Sequence, residues 1–197
     1  LGTDISIDII VHPGAGAYIA GEETAQLNSL EGYRATPRLK PPFPATCGLY
    51  KKPTVINNVE TLCNIVHIVN RGVAWYQSVG TQKSPGTKIF QVSGHIAKPG
   101  CYEFPLGVTL REVLAQAGGM LSGRSFKACY PGGSSCSILT VKDLDISMDF
   151  ESLASRRSAL GTASIIVMDD TADMVKVAHR LMRFYQNESC GKCTPCR

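Results

Sequence analysis

Lys88-Ile-Phe-Gln-Val-Ser-Gly94, a Pro99-Gly100 turn and Gly100-Cys-Tyr-Glu-Phe104 form the stretch on which the fold class turns. Both runs carry β-branched or aromatic residues and are separated by turn chemistry, so they predict two strands of a hairpin. Thr109-Leu-Arg-Glu-Val-Leu-Ala-Gln-Ala-Gly118 follows, with Thr109 and Glu112 at capping-box spacing, and predicts a short helix. Phe126–Tyr130, Ser137–Val141 and Ser164–Met168 predict further strands. A hairpin, a helix packed across it and more strands make a small α+β, grasp-like domain over about residues 80–170.

Towards the N-terminus, residues 1–79 are built differently. The run Ile5-Ser-Ile-Asp-Ile-Ile-Val11 predicts a strand, and the glycine-rich stretch after it leads into Gly21-Glu-Glu-Thr-Ala-Gln-Leu-Asn-Ser-Leu-Glu-Gly32. There Ala25, Leu27 and Leu30 suit a helix and Gly32 its C-cap. Strand, glycine loop and helix in that order predict an α/β segment. Arg34-Ala-Thr-Pro-Arg-Leu-Lys-Pro-Pro-Phe-Pro44 holds four prolines, which forbid regular helix and favour an extended loop with three cations and one ring. Asn57 and Glu60 then stand at capping-box spacing before an apolar helix over Thr61 to about Asn70.

Towards the C-terminus, residues 171–197 open on Asp173-Met-Val-Lys-Val-Ala-His-Arg-Leu-Met-Arg-Phe-Tyr185. Met174, Val177, Ala178, Leu181, Phe184 and Tyr185 recur at spacings of three and four, which predicts an amphipathic helix. It delivers the chain into Cys190-Gly-Lys-Cys193-Thr-Pro-Cys196, a Cys-x2-Cys-x2-Cys triplet. Thiolates at that spacing in a Gly/Pro loop can converge on one centre, and the triplet matches the first three ligands of a bacterial iron–sulfur run. Zinc suits it less well, because structural zinc knuckles usually come as two Cys-x2-Cys pairs. A 4Fe-4S cube needs a fourth ligand from elsewhere. Cys47, Cys63, Cys101, Cys129 and Cys136 are scattered singly and read as reduced thiols, not a disulfide framework.

Composition bounds the function class. The chain has 197 residues, 44% of them hydrophobic, enough to bury a core without staples. Its formal charge of +4, from 20 basic and 16 acidic residues, is too mild for a nucleic-acid binder. No apolar run approaches the roughly 18 residues of a membrane span, and no signal-peptide pattern opens the chain. Leu1 is not Met, and the strand-like opening together with the missing fourth cysteine predicts a segment of a longer protein. His12, His67, His95 and His179 have no carboxylate or cysteine at ligand spacing and read as structural.

Five motifs together resemble one family. Gly14-Ala-Gly-Ala-Tyr-Ile-Ala-Gly-Glu-Glu-Thr24, Ser29-Leu-Glu-Gly32, Pro37-Arg-Leu-Lys-Pro-Pro-Phe-Pro44, Lys52-Pro-Thr-Val-Ile-Asn-Asn-Val-Glu-Thr61 and Glu188-Ser-Cys-Gly-Lys-Cys-Thr-Pro-Cys-Arg197 resemble the flavin-carrying F subunit of bacterial respiratory NADH:quinone oxidoreductase, complex I. The resemblance runs over essentially the whole chain. It implies the C-terminal part of a Rossmann-like FMN domain (1–79), a ubiquitin-like SLBB domain (80–170), and the first helix of a helical-bundle iron–sulfur domain (171–197). The family's glycine-rich cofactor loop lies upstream of Leu1 and its fourth cluster cysteine downstream of Arg197. Ala20 stands where the family often has cysteine.

The resemblance implies FMN and a 4Fe-4S cluster as cofactors and NADH as substrate. A flavin phosphate needs a helix N-terminus, where N–H groups and the macrodipole favour an anion. By resemblance Ile56, Asn57, Asn58 and Thr61 form that FMN-binding loop, against the plain alternative of a helix cap. Gly21 and Glu22 line the flavin and Glu23 meets NADH, although carboxylates there also suit a helix dipole. Phe43, a ring on a stiff proline loop, is placed to stack on adenine or simply to pack under the loop. Lys40 and Arg38 are candidates for steering the dinucleotide phosphates. Tyr18 either approaches the flavin or anchors its loop. Cys190, Cys193 and Cys196 are the three cluster ligands.

The activity so implied is hydride transfer from NADH to FMN, then single electrons through the cluster toward quinone. The cofactor carries that chemistry, so no side-chain acid or base is required. The implied partners are other peripheral-arm subunits, especially the 2Fe-2S (E-like) and iron–sulfur (G-like) subunits. The implied location is cytoplasmic, peripheral to the inner face of the bacterial plasma membrane. Two alternatives stand: the diaphorase subunit of an NAD-linked hydrogenase or formate dehydrogenase, and a non-catalytic SLBB ligand-binding or electron-relay module. The Gly21-Glu22-Glu23 and Asn57-Asn58 motifs argue against the second.

Overall fold

The structure is a computed structural model and describes residues 4–196. Two compact units make it up: one takes the chain as far as Asn58 together with the stretch from Arg180, and the other is Val59–His179. Among the described residues no helix is long and apolar enough to cross a membrane.

The larger unit opens with helices α2 (Val59–Arg71) and α3 (Val73–Gln77), α1 being Glu23–Leu30 of the other unit. Strands β1 (Thr87–Gly94) and β2 (Gly100–Pro105) form the expected antiparallel hairpin, with Phe90 opposite Tyr102. Helix α4 (Leu110–Gln116) follows. The Thr109 hydroxyl accepts from the Glu112 N–H, and the Glu112 carboxylate accepts from Thr109 N–H at 2.8 Å, so the capping box is real. Then come β3 (Phe126–Tyr130), β4 (Leu139–Thr140), α5 (Phe150–Ser155) and β5 (Ser164–Asp169). The five strands order as β2-β1-β5-β3-β4, with β1 and β5 parallel and the other pairs antiparallel.

Alternation along β1 places Phe90 and Val92 inward against Leu110 and Val113 of α4 and against Ile165 and Val167 of β5. Each such side chain, fully removed from water, contributes about 1.5–3 kcal/mol before entropy is counted. The strand expected over Ser137–Val141 keeps only Leu139–Thr140, because Val141–Asp143 turns into a 3-10 helix held by Asp143 on the Thr140 N–H at 2.9 Å. Gly132 has no room for a side chain: a Cβ there would stand 2.2 Å from the Leu160 carbonyl oxygen.

In the smaller unit the strand expected at Ile5–Val11 does not form. The segment carries no secondary structure and Ile5, Ile7, Ile9, Ile10 and Val11 are all exposed. A strand exists only against a partner, and among the described residues every strand belongs to the sheet between Thr87 and Asp169. Helix α1 does form, and its end is a Schellman motif. Gly32 takes φ +83°, its N–H reaches the Ser29 carbonyl at 3.1 Å, and the Tyr33 N–H reaches that of Asn28 at 2.8 Å.

Helix α6 (Met174–Glu188) begins in one unit and ends in the other. Asp173 caps it, accepting from Val175 N–H at 3.0 Å and Lys176 N–H at 3.2 Å. Met174 and Val177 pack on Ala128, Met168 and Ala172, whereas Val175 and Met182 face solvent. Of the face expected to be apolar, Met174 and Val177 pack on this cluster, whereas Ala178 and Phe184 remain exposed.

Candidate functional site

Glu22 carries more of the local structure than its sequence position announces. Helix α1 begins at Glu23, not Gly21, and Glu22 is its N-cap. One carboxylate oxygen accepts from Thr24 N–H at 3.0 Å, Ala25 N–H at 2.8 Å and the Thr24 hydroxyl at 2.6 Å. These are the donors that a Ser or Asp cap would satisfy. Burial works against ionisation of Glu22, but the Thr24 hydroxyl, the Ala25 N–H, Lys40 and the Thr24 N–H outweigh it and hold its pKa below the usual carboxylate value. Its other oxygen lies 3.6 Å from Lys40 Nζ, which also hydrogen-bonds Glu23. The hydrogen bond to Glu23 is the main cause of a raised Lys40 pKa, so the ammonium is fixed as a cation. Glu22, Glu23 and Lys40 are thus one polar cluster, formed across the proline loop.

Arg38, expected as a candidate for steering phosphates, is engaged in holding the proline loop. Its guanidinium reaches Glu31 at 2.9 Å, Asn28 Oδ1 at 2.7 Å and the Gly48 carbonyl at 3.1 Å, pinning the proline loop to α1. Three acceptors, one on each guanidinium nitrogen, fix the planar donor fork in place. Phe43, by contrast, is 59% exposed, and its carbonyl accepts from the N–H groups of Thr46 and Cys47. The ring is presented rather than packed.

Gly21 ends a 3-10 turn, Tyr18–Gly21, and nothing lies within 4 Å of where its Cβ would be. Neither packing nor φ demands a glycine at this position. The run Ile56-Asn57-Asn58 is non-helical, with Asn57 and Asn58 exposed. Since α2 starts at Val59, the position before the helix is Asn58, and Glu60 falls one residue short of the box expected with Asn57. Glu60 offers Oε2 to Lys88 Nζ at 2.8 Å. Thr61 is exposed in the first turn of α2.

Tyr18 is an anchor. Its ring meets Phe184 edge-on at 5.1 Å and its N–H donates to Glu188 Oε2 at 3.3 Å. Beyond Glu188 the cysteine loop turns at Gly191, φ +65°, and closes with Cys196 N–H on the Cys193 carbonyl at 3.1 Å. Cys190 is half-buried, Cys193 and Cys196 are exposed, and all three are free thiols. Among the described residues no three His, Cys, Asp or Glu side chains are drawn into a metal-holding group, so the shared loop does not by itself converge the sulfurs. Their chemistry fits the cube: three accessible thiols, one per iron. Cys129 differs, since burial, aided by the charge of Asp143, pushes its thiol up to about 12. It is an inert core residue.

The Arg38–Glu31 and Lys88–Glu60 pairs, and His95 Nδ1 at 2.8 Å from Asp169 Oδ1, were not legible as partners in the sequence. His95 and Asp169 are 74 positions apart, and no spacing rule reaches that far.

Comparison with known proteins fits this geometry. Residues 2–67 match the Nuo51 FMN-binding domain, 89–139 the SLBB domain, and 176–197 the NADH-ubiquinone oxidoreductase-F iron-sulfur binding region. The whole chain is 54% identical to the second F subunit of NADH-quinone oxidoreductase from Rhizobium meliloti (strain 1021), covering 47% of that protein. It is 51% identical to the F subunits of Escherichia coli (strain K12) and Mycobacterium tuberculosis (strain H37Rv), again over all of this chain and 44% of each relative. The chain therefore spans a little under half the length of the curated relatives it matches. Among solved structures, NAD+-reducing NiFe-hydrogenase in its air-oxidized and H2-reduced states superposes with a TM-score of 0.83 and 43% identity, over 93% of this chain and 31% of that one. With the three domain types in family order and about half of all positions identical, the chain belongs to the family of NADH-quinone oxidoreductase F subunits.

Proposed function

We propose that this chain is part of the NADH-oxidising module of a respiratory NADH:quinone oxidoreductase. The observation that carries the reading is identity above 50% across the whole chain to F-subunit relatives, with the flavin motifs and the cysteine triplet in one polypeptide. When bound, FMN supplies hydride acceptance from NADH and one-electron release, and the 4Fe-4S cluster supplies one-electron acceptance toward quinone. No protonic side chain is needed in that chemistry, so the chain's task is to bind, orient and shield.

Residue roles follow from chemistry and position. Asn57, Asn58 and Thr61, with the first N–H groups of α2, hold the flavin phosphate, and half-buried Ile56 seats the loop. Gly21 lets the flavin approach the backbone, while Glu22 fixes the cap beneath it. Glu23 and Lys40 address the dinucleotide: the carboxylate suits ribose hydroxyls, the ammonium suits phosphate, and their mutual hydrogen bond holds both ready. Phe43 stacks on adenine. Cys190, Cys193 and Cys196 ligate three irons, and a fourth ligand comes from another part of the protein. The functional parts are residues 1–79, 80–170 and 171–197. The partners are other peripheral-arm subunits, the 2Fe-2S (E-like) and iron–sulfur (G-like) ones first, on the inner face of the plasma membrane.

The hydrogenase diaphorase reading draws on the 43% identity to NAD+-reducing NiFe-hydrogenase and ranks below the quinone oxidoreductase reading, at 51–54%. The test is flavin and iron analysis of the complete protein, with anaerobic NADH added to look for bleaching of flavin absorbance. Asn57→Ala with Asn58→Ala is expected to weaken FMN retention; unchanged retention in a folded variant removes the phosphate assignment.

A further inference from the structure

Lys88 occupies an unusual place for a cation. It lies on the inward side of β1, in alternation with Phe90 and Val92, and its side chain is only 8% exposed. An ammonium there is costly unless a carboxylate meets it, and an apolar residue of similar size is often no less stable. Folding alone does not explain the lysine. Its Nζ donates to Glu60 Oε2 at 2.8 Å and stands 5.9 Å from the centre of the Phe150 ring. The pair lines a cavity of about 250 Å³ together with Thr61, Asn64 and Tyr76.

Glu60 is the second residue of α2, between Asn58 and Thr61. A carboxylate in a first turn is ordinarily favourable, because it complements the N–H dipoles. Those same N–H groups are what a phosphate uses. Glu60 therefore places a negative charge where a phosphate of about −1.5 to −2 must also sit. We propose that Lys88 is the counter-ion that makes the two compatible: it offsets the charge of Glu60 and draws the carboxylate toward β1, leaving the first turn of α2 to the flavin phosphate. Lys88 is in this sense a positioning residue for FMN. The proposal rests on the assignment of Asn57, Asn58 and Thr61 to that phosphate.

The experiment uses the complete protein, stripped of flavin and titrated with FMN and with riboflavin, which lacks the phosphate. Lys88→Met makes the turn one unit more negative and is expected to raise the FMN Kd about tenfold at low salt, less at high salt. Riboflavin affinity should stay within about twofold. Glu60→Gln, near-isosteric and so informative even where Lys88→Met folds poorly, should bind FMN at least as tightly as the unaltered protein. The double variant should return close to it, and Lys88→Arg should retain FMN. Glu60→Gln weakening FMN as much as Lys88→Met is the signature of a mechanical tether and overturns the counter-ion role, as does equal loss of FMN and riboflavin. Asn57→Ala with Asn58→Ala runs alongside. An FMN Kd unmoved there overturns the phosphate site and the proposal with it, whereas a weakened Kd there with Lys88→Met inert overturns only the role of Lys88.

Discussion

The Tyr18 ring stands edge-on to Phe184, centroids 5.1 Å apart and planes at 73°, tying the turn that ends at Gly21 to the last turns of the helix that enters the cysteine loop. The Tyr18 N–H on Glu188 makes a second link between the same elements. Phe184→Ala is expected to remove about 1 kcal/mol of edge-to-face contact and to speed hydrogen exchange of the Tyr18–Gly21 amides about fivefold. Exchange rates that do not move would show that the ring pair fixes nothing.

Glu22 sets a pH dependence. Its folded pKa lies below the ordinary 4.5, with burial opposed and outweighed by the Thr24 hydroxyl, the Ala25 N–H and Lys40. A depressed carboxyl pKa contributes stability that is complete above the unfolded value and lost as pH falls through the folded one. Asp169, held down chiefly by the Thr171 hydroxyl, works in the same direction. Glu22→Ala should therefore cost about 1 kcal/mol at neutral pH, as loss of a cap does, and progressively less in acid. Thermal unfolding of both proteins across the acid limb checks this, and a gap that widens on acidification is the contrary result.

Two glycines should separate folding from binding. Gly132→Ala drives a methyl to 2.2 Å from the Leu160 carbonyl, where backbone must move, and is expected to destabilise by about 1–3 kcal/mol. Gly21→Ala meets nothing within 4 Å and should leave the melting temperature unchanged while weakening FMN binding. Equal flavin affinity in the Gly21 variant would mean that the open space is not where the ligand lies.

Cys193→Ser tests the cluster. A hydroxyl is a poor substitute for a thiolate on iron, so iron and acid-labile sulfide of the complete, anaerobically purified protein should fall and the EPR signal of the reduced cluster should change or vanish. Cys129→Ser, at a buried thiol outside the triplet, should leave the iron content intact. Iron loss in both alike points to a folding defect instead.

Much of the fold was legible because its signals are short-range. Alternation put Phe90 and Val92 inside, spacing made Thr109 and Glu112 a box, and a glycine free to take φ +83° ended α1 at Gly32. The spacing of Met174 and Val177 gave the packed face of α6. The cysteine triplet and the asparagine pair were visible as motifs for the same reason, but among the described residues the cysteine loop does not by itself draw its sulfurs together.

Tertiary structure alone decided the rest. Ile5–Val11 has strand composition and no strand, since a ladder needs a second chain segment that composition cannot supply. Arg38, read as a candidate for steering phosphates, pairs with Glu31 and hydrogen-bonds Asn28 and the Gly48 carbonyl. Glu60, read as half of a cap, pairs with a lysine 28 positions away, and His95 finds Asp169 across 74. Charges choose partners by distance in space and by the cost of burial, and neither quantity is written in the order of residues.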